Sequence, residues 1–273
     1  MDRSGTLDRL LVKPKAAARI AKIDTATITG APGDKATTEA ASAELNKELA
    51  GLQERLWAEN RQSLLVVLQA MDAGGKDGAI RKVFGGVNPQ GCRVATFKAP
   101  SEEELAHDFL WRINKATPRK GEIGIFNRSH YEDVLIVRVH DLVPKAVWSK
   151  RYATIKSFEA NLASSGTTIV KFFLHISKDE QAARLRKRLE DPHKNWKFRI
   201  GDLEERKHWG KYQQAFEEAI TKTTTAAAPW YVIPSDKKWY RDWCVLSVLV
   251  DTLRRMDPQF PKPEEDLTGV VVE

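Results

Sequence analysis

Short apolar runs and longer amphipathic stretches take turns along the chain, and that order predicts an α/β protein. The run from Leu64 to Ala70 is apolar except at Gln69 and rich in branched side chains, as in a strand buried on both faces. Four later segments read as strands: CRVATFKAP from Cys92, GEIGIF ending at Phe126, TTIVKFFLHIS from Thr167, and PWYVIPSD from Pro229. The intervening segments have helical spacing. Thr38 to Asn60 puts Leu45, Leu49, Leu52, Leu56 and Trp57 on one stripe, and AIRKVF from Ala79 continues the first strand's turn as a helix. Ser101 and Glu104 form a capping box ahead of a helix whose buried side is Leu105, Phe109, Leu110 and Ile113. Pro144 opens a helix through Leu162 with Trp148, Tyr152, Ile155 and Leu162 inward. Ser177 with Glu180 caps the next, and Trp239 to Met256 forms the last, with Trp243, Leu246, Val250 and Leu253 inward. Five strands alternating with helices imply a parallel five-stranded sheet with helices on both faces.

At 273 residues and 42% hydrophobic, the chain suffices for one α/β domain with extensions. The expected division is an N-terminal arm and helix over 1–60, a core over 61–260, and an acidic, proline-containing tail over 261–273. Residues 1 to about 40 mix Lys, Arg, Ala and Thr and carry no clear strand. The two cysteines, Cys92 and Cys244, sit among apolar residues and read as buried free thiols of a reducing compartment. There is no apolar run of signal-peptide or membrane-spanning character, so a cytoplasmic protein without a membrane partner is expected.

The net charge is +7, which calls for an anionic partner. The charge is concentrated: the sixteen residues Arg184 to Arg199 hold seven Lys or Arg against Glu190 and Asp191, a net +5. Such a run can be a solvated helix face. Here Pro192 and Gly201 interrupt it, Trp196 and Phe198 lie within it, and Asp202 reads as the cap of a new helix carrying Trp209, Tyr212, Phe216 and Ile220. A basic helical insertion after the fourth strand, over about 184–210, is where phosphate-transferring enzymes place a closing lid.

The candidate chemistry follows the first strand, in Met71 to Gly78, MDAGGKDG. Gly74, Gly75 and Gly78 allow backbone N–H groups to approach anionic oxygens, the following helix contributes its positive end, and Lys76 bridges phosphates. The usual pattern is incomplete, because Ala70 replaces the first glycine and Asp77 the metal-binding hydroxyl. A strand, a Gly-Gly-Lys turn and a helix also occur without a ligand. Asp72 favours the phosphate reading, since its carboxylate can hold Mg²⁺ in place of the missing hydroxyl. The third strand ends at Phe126 before Asn127, Arg128 and Ser129, and Asn127 occupies the position that orients the metal shell in phosphotransferases of this type.

Four stretches together resemble polyphosphate kinase family 2: MDAGGKDG, FKAPSEEELAHDFLWR from Phe97 to Arg112, FNRSHYEDVL from Phe126 to Leu135, and RLRKRLEDPHKNWKF from Arg184 to Phe198. FNRSHYEDVL is similar to the subgroup that phosphorylates both nucleoside mono- and diphosphates. The resemblance implies a three-layer P-loop kinase fold with a helical lid, and reversible phosphoryl transfer from inorganic polyphosphate to AMP and ADP. By the same resemblance, Asp72 and Asn127 hold Mg²⁺, with Mn²⁺ as the alternative, and Asp72, Lys76 and Arg128 are catalytic. Gly74, Gly75, Lys76, Asp77, Gly78 and Arg128 contact the nucleotide phosphates, while Glu132 approaches the base on their far side. Lys82, Arg184 and Arg188 serve polyphosphate and the lid. Adenine nucleotides are the implied acceptors, guanine nucleotides a further option, and the assembly a homo-oligomer, dimer or tetramer. The alternatives are an ATP-using nucleotide kinase of the same fold and a basic nucleic-acid-binding P-loop protein; the latter needs a contiguous basic surface with exposed aromatics.

Overall fold

The structure is a computed structural model of the chain and describes residues 4–268 and 270–272. In chain order the elements are α1 (Ser4–Leu10), β1 (Leu11–Val12), α2 (Lys35–Glu59), β2 (Ser63–Ala70), α3 (Lys76–Val83), β3 (Cys92–Thr96), α4 (Glu102–Ala106), α5 (Trp111–Asn114), β4 (Ile123–Asn127), α6 (Ile136–Val139), α7 (Lys145–Ser164), β5 (Thr167–His175), α8 (Lys178–Glu190), α9 (Gly201–Lys207), α10 (Trp209–Thr223), β6 (Trp230–Pro234) and α11 (Lys238–Met256). The sheet runs β1-β6-β5-β2-β4-β3. The five strands expected from sequence are present and mutually parallel.

β2 is central and buried along its whole length. Its Leu64, Val66, Leu68 and Ala70 face a core built with α2, α3 and α11. Leu65 and Val67 face a second core built with α7 and α10, so the molecule has three layers. The predicted helix stripes hold: Leu45, Leu49, Leu52 and Leu56 are buried in α2, and Trp148, Tyr152 and Ile155 in α7. Asp34 caps α2 by accepting the Thr37 N–H at 2.9 Å. No helix among the described residues is long and apolar enough to cross a membrane. Cys92 and Cys244 are unpaired, and burial pushes both thiols up, that of Cys92 to about 11, which keeps them protonated.

Three expectations change. The sheet has a sixth strand, because Leu11 and Val12 pair antiparallel with Tyr231 and Trp230. Two residues are too short for a periodicity to register, and it is β6 that supplies their partners. The arm beyond it is tied down: Ile20 is fully buried, the Ala18 N–H donates to Thr221 Oγ1 at 3.0 Å, and Thr25 Oγ1 donates to Asp236 at 2.7 Å. Of the expected arm and tail, residues 1–3, 269 and 273 lie outside the described residues.

The helix expected over Ser101 to Ile113 is broken into α4 and α5. Its capping box forms, but His107 adopts extended backbone and the Asp108 carboxylate accepts the Leu110 N–H at 2.9 Å, a local bond that competes with helix continuation. Leu105, expected inside, is consequently exposed. Likewise Asp202 is not a cap: it lies in the first turn of α9, and the expected single helix is divided at His208 into α9 and α10.

One charged cluster lies within the core between β5 and the helices on its second face. Lys171 Nζ, fully buried, donates to Glu159 at 2.6 Å, Tyr131 Oη at 2.9 Å and the Thr223 carbonyl at 2.9 Å. Glu159 also accepts from Tyr131 Oη at 2.8 Å and lies 3.2 Å from His130 Nε2. Burial alone would raise the Glu159 carboxyl, but Lys171 and His130 outweigh it and hold the group below its usual range. Removing either charge strands the other. Lys171→Ala should therefore lower the unfolding free energy by about 3–5 kcal/mol, while the volume-matched double replacement Lys171→Met/Glu159→Leu should lower it much less. Urea unfolding of the two variants checks this; equal losses would contradict it.

Candidate active site

The C-terminal ends of the parallel strands meet at one edge of the sheet, the place where open α/β folds bind ligands. Behind Ala70 the chain reverses tightly. Ala73 has φ 57°, Gly75 has φ 99°, and the Gly74 N–H donates to the Met71 carbonyl at 2.9 Å. A side chain at Gly74 would place its Cβ 2.5 Å from the Cβ of Ala70, and one at Gly75 would place it 2.4 Å from a guanidinium nitrogen of Arg241. The glycines are thus required by close packing at the first and by backbone conformation as well at the second. The first intrahelical bond of α3 runs from the Ala79 N–H to the Gly75 carbonyl, which leaves the N–H groups of Lys76, Asp77 and Gly78 without helical partners. These amides and the positive end of α3 are an arrangement that can take an anion.

β4 brings the second set of residues alongside. Asn127 pairs with Leu68 in the sheet, and its Nδ2 donates to Asp77 Oδ1 at 2.8 Å. Arg128 follows with φ 64°, its N–H bound to the Leu68 carbonyl at 3.1 Å and its Nη2 3.3 Å from Asp72 Oδ1. Ser129 is fully buried, accepts from Gln69 Nε2 at 3.0 Å, and caps a 3₁₀ turn over His130–Val134. That turn curls Glu132 back toward the loop. Burial raises its carboxyl, opposed by Arg128, by Lys76 and by a hydrogen bond from Gln69, so Glu132 shares the field of the phosphate-binding cations. Lys76 is enclosed by the same groups. Its Nζ donates to the Ala70 carbonyl at 3.2 Å, and burial and then Arg128 pull the ammonium down against Asp72, Glu132 and Asp77.

The lid begins later than the sequence implied. Arg184 is not part of it: the side chain is 9% exposed and donates to the carbonyls of Ala73 at 3.0 Å, Gly74 at 2.9 Å and Ser235 at 2.5 Å, with Glu180 at 2.7 Å. Arg188, one turn further, pairs with Asp202 of α9 at 3.2 Å and belongs to the junction of α8 with the lid. Lys82 is exposed on the last turn of α3. Arg186 and Lys187 are exposed near the end of α8, and between α8 and α9 Lys194, Lys197 and Arg199 are exposed, as are Trp196 and Ile200. The +5 run is therefore a cationic surface beside the loop.

Three participants escaped the sequence reading. Gln181, 1% exposed, donates to the Asp72 carbonyl at 2.9 Å and accepts from Arg206 of α9 at 3.0 Å, joining loop to lid. Arg241 lies under Gly75. Asp202 pairs with Arg188 at 3.2 Å, and burial, with the charge of Asp72 adding, raises its carboxyl. Its one sequence signal was an acidic residue just past a basic run. Among the described residues no three His, Cys, Asp or Glu side chains converge as a metal-ligand cluster. Asp72, part-buried beside Arg128, offers a hard oxygen donor of the kind a divalent cation takes when phosphate oxygens and water complete its shell. Asn127 is committed to Asp77.

The polyphosphate kinase 2 family model matches residues 33–261. The chain is 56% identical to the AMP/ADP-polyphosphate phosphotransferase of Meiothermus ruber over 96% of its length and 98% of that protein. It is 47% identical to the ADP-polyphosphate phosphotransferase of Rhodopseudomonas palustris over 79% of each. The crystal structure of polyphosphate kinase 2 from Arthrobacter aurescens TC1 superposes with a TM-score of 0.92 at 46% identity, covering 95% of this chain and 92% of that one. The strand, glycine turn, lysine and cationic lid described above are thus set in a shared fold, and the chain belongs to the polyphosphate kinase 2 family.

Proposed function

We propose that this enzyme transfers phosphoryl groups from inorganic polyphosphate to AMP and to ADP, reversibly and with Mg²⁺. The observation that carries the reading is the meeting of Lys76, Arg128 and the α3 amides on one side with the exposed cations of the lid on the other. A single nucleotide needs fewer positive groups than this; a polyanion at one end of an in-line transfer uses them. The similarity to the AMP/ADP-polyphosphate phosphotransferase of Meiothermus ruber supports the choice of donor and acceptors.

In this mechanism Lys76 and the amides of the loop hold the transferring phosphate, and Arg128 neutralises charge as the bond to the leaving oxygen lengthens. Asp72 would hold the divalent cation, which when bound would supply positive charge to the phosphates. Its binding would release Arg128 from the pairing with Asp72 and free the guanidinium for phosphate. Glu132, among these cations, sets their spacing and limits the charge that meets the acceptor; its place beside the phosphates leaves the base end open to a nucleotide of either phosphate length. Lid closure brings Asp202 toward Asp72 and excludes water, which would otherwise compete as acceptor.

Lys76→Ala should cost on the order of 3 kcal/mol of transition-state stabilisation, about a hundredfold in turnover, while the unfolding temperature stays near that of the parent protein. Steady-state assays with polyphosphate and AMP, paired with thermal unfolding, check it; near-normal turnover by the folded variant would remove Lys76 from the mechanism. Arg188→Ala should lower turnover about tenfold or more with little change in unfolding temperature, whereas Arg184→Ala should lower both, because its guanidinium satisfies buried carbonyls. Equal thermal losses for the two variants would contradict the placement of the lid boundary. With polyphosphate and Mg²⁺ as the only donor system, AMP should give ADP first and ATP later. A time course that stops at ADP would reject the second acceptor, and product formation from ATP but not from polyphosphate would reject the donor.

A further inference from the structure

Arg241 lies in the first turns of α11, 166 residues after the loop it touches, and is 2% exposed. One edge of its guanidinium is fixed by Asp242, Nε to Oδ1 at 2.8 Å and Nη2 to the same oxygen at 2.6 Å. The remaining nitrogen, Nη1, donates to the Gly75 carbonyl at 3.3 Å. Arg184 holds the two preceding carbonyls, those of Ala73 and Gly74. Two arginines from different helices therefore bind three consecutive carbonyls of the phosphate loop.

A trans peptide makes this more than packing. In each planar unit the C=O and the next residue's N–H point in opposite directions, so fixing one aims the other. The Ala73 carbonyl aims the Gly74 N–H, which is already used by the Met71 carbonyl. The Gly74 carbonyl aims the Gly75 N–H, and the Gly75 carbonyl aims the Lys76 N–H, away from the guanidinium groups and toward the face where α3 begins. The Gly75 carbonyl also accepts the Ala79 N–H at 3.0 Å, so Arg241 is its second donor and fixes its tilt. The arrangement has a cost. Burial is the main force that pulls the Arg241 guanidinium down, and Arg184 adds like-charge repulsion against the pairing with Asp242. An anion bound on the far side of the loop relieves that repulsion.

We propose that Arg241 is a positioning residue for phosphoryl transfer, which, through the Gly75 carbonyl, aims the Lys76 amide at the bound phosphate, beside the Gly75 amide that Arg184 aims through the Gly74 carbonyl, and adds its charge behind them. The proposal rests on the phosphotransfer reading above only for the identity of the anion. It accounts for the glycine at position 75, where a Cβ would sit 2.4 Å from Arg241 Nη1 and 3.3 Å from Arg184 Nη1.

The test uses Arg241→Lys and the charge-neutral pair Arg241→Gln/Asp242→Asn, which leaves no unpaired carboxylate behind. Tripolyphosphate binding to the full chain is measured by calorimetry, alongside kcat and KM for polyphosphate and unfolding in the absence of ligand. The double variant should bind tripolyphosphate about tenfold or more weakly and raise KM for polyphosphate by a similar factor. Arg241→Lys keeps the carboxylate pair but lacks the second N–H edge, and should lose about threefold or more in the same two quantities. If the double variant does not fold, Arg241→Lys decides. A folded Arg241→Lys protein with unchanged tripolyphosphate affinity and unchanged KM overturns the proposal, whatever its unfolding temperature, since a merely structural arginine would move only the last. Should the parent protein use ATP and not polyphosphate, the donor assignment falls, and the same comparison with ADP as the bound anion still decides the role of Arg241.

Discussion

A chain that must leave a strand buried on both faces and enter a helix within five residues has few ways to dispose of its peptide groups. After Ala70 the carbonyls of Ala73, Gly74 and Gly75 are directed into buried guanidinium groups, and the amides at the start of α3 are left free. That division of carbonyls from amides is the constraint on which the site depends. Without donors behind the loop the carbonyls would be buried and unsatisfied, and without a ligand in front the amides have only solvent. The fold secures the first half permanently and leaves the second to the substrate.

The same logic orders the charges. Cations enclosed by protein would ordinarily be expensive, yet Lys76, Arg128, Arg184 and Arg241 gather around one short segment. Each has a carboxylate or carbonyl partner: the Ala70 carbonyl for Lys76, Asp72 for Arg128, Glu180 for Arg184 and Asp242 for Arg241. The pairings differ. Asp242 and Glu180 hold guanidinium groups that face backbone, whereas Asp72 holds one that is partly exposed. A buried pair is a fixture, and a half-exposed pair such as Arg128 with Asp72 is exchangeable at low cost. On the opposite face of the sheet the Lys171 and Glu159 pair steadies the turn that presents Arg128 and Glu132, since His130 and Tyr131 of that turn bond to it directly.

Loop and lid are mechanically joined. Gln181 bonds to the backbone of Asp72 on one side and to Arg206 of α9 on the other, and α8, which carries Gln181 and Arg184, is also the helix from which the lid departs. A displacement of α9 therefore acts on Asp72. Trp196 and Ile200 between α8 and α9 are exposed, as are the cations beside them.

Much of this was legible in the sequence because it depends on near neighbours. The apolar run at Leu64, the stripes of α2, α7 and α11, the capping boxes at Ser101 and Ser177, and the glycine turn with Lys76 all follow from periods and spacings within one element. Asp72 and Lys76 were read from the strand, glycine turn and helix, Arg128 and Glu132 were implied by the family resemblance, and the fold brings the four together. What the sequence could not assign was the partner of a group whose partner is far away. Arg184 read as a lid cation from its basic neighbours, yet it is buried by Ser235 and the phosphate loop. Asp202 read as a cap, yet it pairs with Arg188 of the preceding helix. Leu11 and Val12 became a strand only because β6 lay beside them, and Arg241 carried no signal beyond its place in an apolar helix. Local geometry repeats every two or 3.6 residues and leaves a trace in composition; contact between distant elements is decided by how the layers pack, and a spacing along the chain does not encode it.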